Sequence, residues 1–263
     1  MYTSSSMRDV KPVKMSLNSK FRFKCGPGIS CYTKCCSRIN LILTPYDIIR
    51  LKQRMGLSSG EFLRQYTREE IEERSGLPIV FLKMRQDQDN LCPFVTPEGC
   101  TIYADRPAAC RYYPIGQGTL QLEEGIEEFY FLIMEKHCLG FQEDHLWTVE
   151  SWRDDQGVAQ YDELNAEWKA MMLRRDAQSR KAVDPKQQTM FYLASYDLDS
   201  FRRYIFESRF LEVFEVDAET LTAIKTDDVA LMNFGQQYLK YILMIEQSMK
   251  LKEGAQAARA SSK

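Results

Sequence analysis

The chain has 263 residues, 44% apolar and 27% charged, an ordinary globular composition that excludes a disordered or fibrous protein. With 35 Lys and Arg against 37 Asp and Glu, the net charge of -2 makes no case for nucleic-acid binding. No apolar run approaches the roughly 20 residues of a membrane helix; the best, Tyr238 to Ile245, is interrupted by Lys240. The first residues lack the apolar core of a secretion signal, so a soluble cytoplasmic protein is expected.

In chain order, residues 1–20 read as a flexible polar tail, 21–141 as a Cys-rich domain, 142–253 as a helical C-terminal region packed on it, and 254–263 as a disordered tail. Ile39 to Leu43 suits a short strand or a core segment. Thr44-Pro45-Tyr46-Asp47 predicts a capped helix start, with Ile48, Leu51 and Met55 on its buried face and a stop at Gly56. Ser58 or Ser59 caps a second helix carrying Phe62, Leu63 and Tyr66, and Leu77 to Met84 reads as a strand.

Thr96-Pro97-Glu98-Gly99 is a turn that sets Cys100 opposite Thr96 if Gly99 takes a left-handed bulge. Cys92 then stands about 13 Å from that pair along a strand. Either Pro93 breaks the strand or these thiols serve different sites. Asp105 is expected to cap a short helix with Pro107 in its first turn and Cys110 near its end.

The second half is mostly helical. Tyr161, Leu164, Asn165 and Trp168 share one face, and Phe201, Tyr204, Ile205 and Ser208 another. Thr226-Asp227-Asp228 starts a long helix whose stripe runs Leu231, Phe234, Tyr238, Ile242, Ile245 and Met249. The fold class expected is α+β, a small Cys-rich metal-binding domain with short strands and helices followed by a mostly α-helical C-terminal half.

All eight cysteines (Cys25, Cys31, Cys35, Cys36, Cys92, Cys100, Cys110 and Cys138) lie in the first 138 residues. Without an export signal, disulfides are disfavoured and metal or iron–sulfur ligation is the reading. Thiolate ligands of one ion must come from backbone that can curl round it, and Gly26-Pro27-Gly28 supplies such backbone between Cys25 and Cys31. Adjacent Cys35 and Cys36 diverge in any regular conformation. They suit two neighbouring ions, a polynuclear cluster, or one ligand beside a supporting sulfur. Seven basic residues (Lys11, Lys14, Lys20, Arg22, Lys24, Lys34, Arg38) and no acid fall between positions 11 and 46. They would compensate thiolate charge, or else form a solvated or phosphate-binding patch. His137 beside Cys138 is disfavoured as a ligand, and His145 reads as a surface or packing residue. No phosphate loop or nucleophile elbow is present.

The cysteine order, together with Leu-Thr-Pro-Tyr-Asp-Ile, Cys92-Pro-Phe, the stretch from Gly99-Cys100-Thr-Ile-Tyr-Ala-Asp-Arg-Pro to Cys110-Arg-Tyr-Tyr-Pro, and His-Cys138-Leu-Gly, resembles the YkgJ-like cysteine-cluster family of zinc- or iron-chelating domains. The resemblance covers roughly residues 21 to 141. It implies all eight cysteines as metal ligands, with iron or an iron–sulfur cluster slightly preferred over zinc. The family's first motif is close to Cys-x2-Cys-x2-Cys-Cys, whereas this chain has gaps of five and three, which weakens Cys25 as a ligand. Arg106 and Arg111 also match; they either fix the short helix or hydrogen-bond a cluster sulfur or anion. One relative, the flagellin lysine N-methylase, implies an alternative, an S-adenosylmethionine-dependent protein methyltransferase, but residues 141–263 carry no methyl-donor motif. A zinc-stabilised interaction module, contacting a protein partner through the C-terminal helices, is the second alternative.

Overall fold

The helix starts follow from local chemistry. Thr44 and Asp47 form a reciprocal capping box that opens α1 (Pro45–Met55), and Gly56 closes it in the left-handed conformation at φ 65°. Ser58 and Glu61 do the same for α2 (Ser59–Tyr66). Both starts stand where the sequence puts them.

The computed structural model describes residues 10–86, 89–122, 125–178 and 183–254. Ahead of α1 lie β1 (Val10–Met15), β2 (Lys20–Arg22) and β3 (Ile42–Leu43). After α2 come β4 (Thr67–Ile71), β5 (Pro78–Leu82), β6 (Val95–Thr96), β7 (Gly99–Cys100), α3 (Ala108–Tyr112), β8 (Ile115–Leu122), β9 (Gly125–Ile133) and β10 (Leu146–Thr148). The chain continues through α4 (Val149–Gln156), α5 (Ala159–Gln178), α6 (Pro185–Ser195), α7 (Leu198–Glu207) and α8 (Phe210–Val213). It ends with β11 (Phe214–Glu215), α9 (Ala218–Ile224), α10 (Asp228–Ile242) and β12 (Lys250–Leu251). The class is α+β, with a mostly helical C-terminal half.

Two compact units divide the chain, residues 1–42 with 82–163 and residues 43–81 with 164–263. Both are discontinuous in sequence, whereas the sequence reading draws contiguous segments. The first unit holds an antiparallel sheet in the order β1-β9-β8, the long-range two-stranded pair β10-β2 and the hairpin β6-β7. Its core gathers Phe21, Phe23, Tyr112, Tyr130 and Trp152. Phe23 meets Trp152 edge-on at 5.5 Å, and Trp147 meets Trp152 at 5.2 Å. Such aromatic contacts add about 0.5–1.5 kcal/mol each beyond simple burial.

The second unit holds a sheet in the order β3-β5-β4, whose middle strand is buried at every position, and the pair β11-β12. Around them stand α1, α2 and α6 to α10. On α10, Leu231 and Tyr238 of the expected stripe are buried and Phe234 and Ile242 partly so, while Leu239, outside that stripe, is fully enclosed.

Four local expectations are corrected. Residues 10–15, placed in a flexible tail, form a strand on β9, because buried Met15 anchors it to the apolar cluster. Residues 1–9 and 255–263 of the two expected tails lie outside the described residues. The long C-terminal helix stops at Ile242 rather than running to Met249: Met244 turns left-handed at φ 57°, and the Ile245 N–H reaches back to the Lys240 carbonyl at 2.9 Å. Asp105 sits in a 3-10 turn (Tyr103–Asp105), and Pro107, not Asp105, is the residue before α3. The hairpin pairs Val95, not Thr96, with Cys100, because Gly99 lies at φ 131° and is itself the partner of Thr96.

Candidate metal centre

All eight cysteines belong to the first unit, and none is disulfide-bonded. The Cys25–Cys36 segment is a run of tight turns. Ile29 N–H bonds Gly26 O, Tyr32 N–H bonds Ile29 O at 2.8 Å, and Cys36 N–H bonds Thr33 O at 2.9 Å. Gly28 at φ 100° and Thr33 at φ 69° supply the reversals. The enlarged first gap is therefore wound up rather than extended.

The middle cysteines are brought to this loop by backbone bonds. Cys92 N–H donates to Cys36 O at 2.7 Å, and Ser37 bridges Leu91. Pro93 does break the strand: Val95 N–H turns back to Cys92 O at 3.3 Å. Cys100 consequently stands close enough for its thiolate to disfavour charge on Cys92. Cys110 is set on α3. Arg111, one residue on, donates to the carbonyls of Arg106 at 2.9 Å, Gln156 at 2.7 Å and Ala104 at 2.5 Å. Arg111 is thus a clamp on the backbone that carries Cys110, the structural of its two expected roles. The last cysteine, Cys138, follows a turn onto Glu135 O, and the next N–H, of Leu139, donates to Cys31 Sγ at 3.2 Å.

Six thiols (Cys25, Cys35, Cys36, Cys92, Cys100 and Cys110) line one cavity of about 760 Å³. Tyr32, Tyr103, Arg106, Tyr113, Glu135 and Trp147 complete the part that matters here. Cys31 and Cys138 do not line it, but both interact electrostatically with Cys25. Two neighbourhoods result. Cys25, Cys31, Cys35 and Cys138 influence one another, while Cys92 feels Cys100 and Cys35. They meet at the adjacent Cys35 and Cys36, which hydrogen-bond to each other. Among the described residues, no three His, Cys, Asp or Glu side chains close on a single point at metal-ligand spacing.

Burial pushes the Cys25 thiol up to about 11, helped by Cys35, Cys138 and Cys31 and opposed by Arg106. Burial likewise lifts Cys92 to about 11, opposed by the Phe94 N–H and by Arg85. The hydrogen bond with Cys36, then burial, raises Cys35. Cys100 and Cys138 are raised by burial against the N–H groups of Ile102 and Gly140. Three sulfurs, of Cys92, Cys100 and Cys138, therefore share one device: the backbone N–H two residues on favours the thiolate. Such donors favour anionic sulfur, the form that ligates metal.

The charge surround differs from expectation. Of the seven basic residues near the first motif, Lys14 pairs with Glu127, Arg22 with Asp144 and Arg38 with Asp89. The cations that act on the thiols come from elsewhere, Arg85 on Cys92 and Arg106 on Cys25 and Cys100. Arg106 is held at 2.8 Å by Gln156 Oε1 and lies 3.7 Å over the Tyr103 ring. His137 points to Glu135 at 3.4 Å, and exposed His145 packs its ring 4.6 Å from Trp147. His137 does not line the thiol cavity, whereas His145 stands in its wall beside Trp147.

Sequence reasoning missed Tyr113, whose hydroxyl bonds Glu135 at 3.1 Å and also reaches Cys138. Its signal was present in the Tyr112-Tyr113-Pro114 end of the motif. Glu135 and Arg85 carried no signal of their own.

Residues 24–139 match the model of a family designated CxxCxxCC and described as a putative zinc- or iron-chelating domain. That span runs from one residue before Cys25 to one residue after Cys138. No curated protein and no solved structure matches the chain. Among the described residues, no helix is long and apolar enough to cross a membrane.

Proposed function

From a segment, residues 24–139, that belongs to this zinc- or iron-chelating cysteine-domain family, we propose that the first unit houses a thiolate-ligated centre of more than one metal ion, with iron as an iron–sulfur cluster the first candidate and zinc the second. One observation carries the reading: thiols from four separate stretches of chain surround one cavity, with N–H donors set for three sulfurs. Soft thiolate donors select zinc, iron–sulfur clusters and other thiophilic metals over magnesium or calcium.

Donor chemistry fits such a centre, and all eight cysteines are candidate ligands. Cys31 is held by the Leu139 N–H beside the loop, and Cys25, the ligand that the altered gaps weaken, lines the cavity with the other thiols. A volume of about 760 Å³ exceeds what one tetrahedral ion fills, and the Cys35–Cys36 junction suits ligands directed to two sides. Loading requires side chains to swing inward from their present spacing. The metal would supply the cross-link between loops; this chain contributes the thiolates, the N–H donors and Arg106.

Anaerobic purification followed by iron, zinc and acid-labile sulfide analysis and a visible spectrum tests the proposal. Iron with stoichiometric sulfide supports the cluster; zinc at two equivalents supports the zinc form. A folded protein that takes up neither metal after anaerobic reconstitution overturns it.

A further inference from the structure

Arg85 is fixed by its backbone at the edge of the thiol loop. Its N–H donates to Leu91 O at 2.8 Å, and the two residues form an antiparallel bridge. Leu91 is also bridged by Ser37, and the next residue, Cys92, is bonded to Cys36 O. Arg85 therefore faces the strip of chain that joins Cys36 to Cys92. Its Nε is buried and, among the described residues, has no hydrogen-bond partner.

A buried guanidinium N–H without an acceptor is costly and uncommon in a native fold. Carboxylates are not lacking nearby: Asp89 is within four residues, yet it pairs with Arg38, which places Nε at 3.0 Å from it. Arg85 is left with an unused donor, on a backbone bridged to the residue before half-buried Cys92 and within electrostatic reach of that thiol.

We infer that Arg85 is a positioning residue for the metal centre, its guanidinium held in reserve to hydrogen-bond and charge-balance the Cys92 side once the sulfurs are thiolates. The inference rests on the metal-centre reading above. Physically, each thiolate that binds adds negative charge to a partly buried site. A fixed cation with an open donor offsets that charge without displacing a ligand. The electrostatic effect of Arg85 on Cys92 runs in the same direction. Arg106 acts on Cys25 and Cys100, so the two arginines serve different thiols.

The test compares wild type, Arg85→Gln, Arg85→Lys and Arg38→Gln, each prepared metal-free and titrated anaerobically with Zn²⁺ against a chromophoric chelator. Outer-shell partners of metal ligands typically contribute about 10–100-fold in affinity. Arg85→Gln is expected to bind about tenfold more weakly, Arg85→Lys to recover part of the loss, and Arg38→Gln to match wild type. Circular dichroism melts of the metal-free proteins separate folding from binding. Equal affinity in wild type and Arg85→Gln overturns the inference while leaving the centre standing. A loss of affinity fully accounted for by a loss of metal-free stability overturns it too. If Arg85→Gln does not fold, Arg85→Met takes its place, and its binding Zn²⁺ with wild-type affinity overturns the inference. Wild type that binds no Zn²⁺ and, in a parallel reconstitution, no iron with sulfide overturns the metal-centre reading itself.

Discussion

The sulfur of Cys31 accepts a hydrogen bond at 3.2 Å from the backbone N–H of Leu139, 108 residues further along the chain. That bond ties the first cysteine motif to the last without any metal. Its neighbours reinforce it, since Lys24 N–H donates to Gly140 O at 3.1 Å. The loop is therefore partly organised before any ion could be bound.

Replacing Cys31 by Ala removes the acceptor and opens a small void at a buried position. The metal-free protein should lose roughly 1–3 kcal/mol, the usual cost of stranding a buried donor. Cys31→Ser keeps an oxygen acceptor and should lose less. Urea unfolding of chelator-treated protein measures both; equal stability of wild type and Cys31→Ala would remove the structural role of this sulfur.

Arg111 satisfies three carbonyls from three different positions. Arg111→Ala strands those acceptors and should destabilise the protein by about 2–4 kcal/mol, seen as a lower midpoint in urea. Arg111→Lys, which has no planar fork, should recover only a minor part. A loss confined to metal affinity, with unchanged metal-free stability, would refute the clamp.

Metal uptake should release protons. Cys25 and Cys92 lie at about 11 in the metal-free protein, so both are neutral thiols at pH 7 and must ionise to ligate. Apparent affinity should therefore rise with pH throughout the neutral range and fall on acidification. Calorimetric Zn²⁺ titrations in buffers of different ionisation enthalpy count the protons. Zinc binding with no proton release would show that these thiols are not the ligands.

The sequence made some levels of this structure legible and hid others, for physical reasons. Caps such as Thr44 with Asp47 and Ser58 with Glu61 are local, so a few residues suffice to read them. Cysteine chemistry is likewise visible in composition. The register at Cys100 turned on the conformation of Gly99, which lies at φ 131° rather than in a left-handed bulge. Strand β1 was hidden because Lys11, Pro12 and Lys14 interrupt its apolar residues, and of residues 13–15 only Met15 is buried. The assignment of Leu43–Phe81 to the unit of residues 164–263 depends on contacts across more than a hundred positions. Arg85 was invisible for the same reason, its meaning coming from Leu91 and Cys92.

In the second unit, buried Lys52 stands 3.2 Å from Asp199 and 3.0 Å from Asp228, and Arg202 contacts the same two acids at 2.9 and 2.6 Å. Burial alone would raise both carboxyls. At Asp199 the Ser59 N–H and Lys52 outweigh it, and at Asp228 Arg202 and Lys52 do, so both are held below the ordinary aspartate value of 3.8. Their folded values lie below their unfolded ones. The network therefore stabilises the fold fully above about pH 4 and loses that contribution as pH falls through the depressed values. Lys52→Met should lower stability at pH 7 and flatten its dependence between about pH 4 and 2. Denaturant melts across that range measure the slope; an unchanged slope in the variant would dismiss the network as the acid-sensitive element.

Gly140 offers a sharper test of how the cavity floor is built. A Cβ there would meet Lys24 O at 2.7 Å and the Phe23 ring at 2.7 Å. Neither neighbour yields easily. Lys24 O is backbone, and Phe23 is 1% exposed and wedged against Trp152 and Phe141. Gly140→Ala must therefore push the Phe23–Lys24 backbone outward, and Cys25 is the next residue. Overpacking of this kind costs roughly 1–3 kcal/mol. At Gly26, on the other side of Cys25, a methyl group would meet nothing within 4 Å. Gly26→Ala should consequently leave stability within about 0.5 kcal/mol of wild type. The pair separates two demands on the same cysteine, close packing behind it and open space in front. Thermal melts of both variants decide the first, and anaerobic Zn²⁺ titration decides whether moving Cys25 weakens uptake. If Gly140→Ala melts and binds like wild type, the Phe23–Lys24–Gly140 contact does not set the position of Cys25.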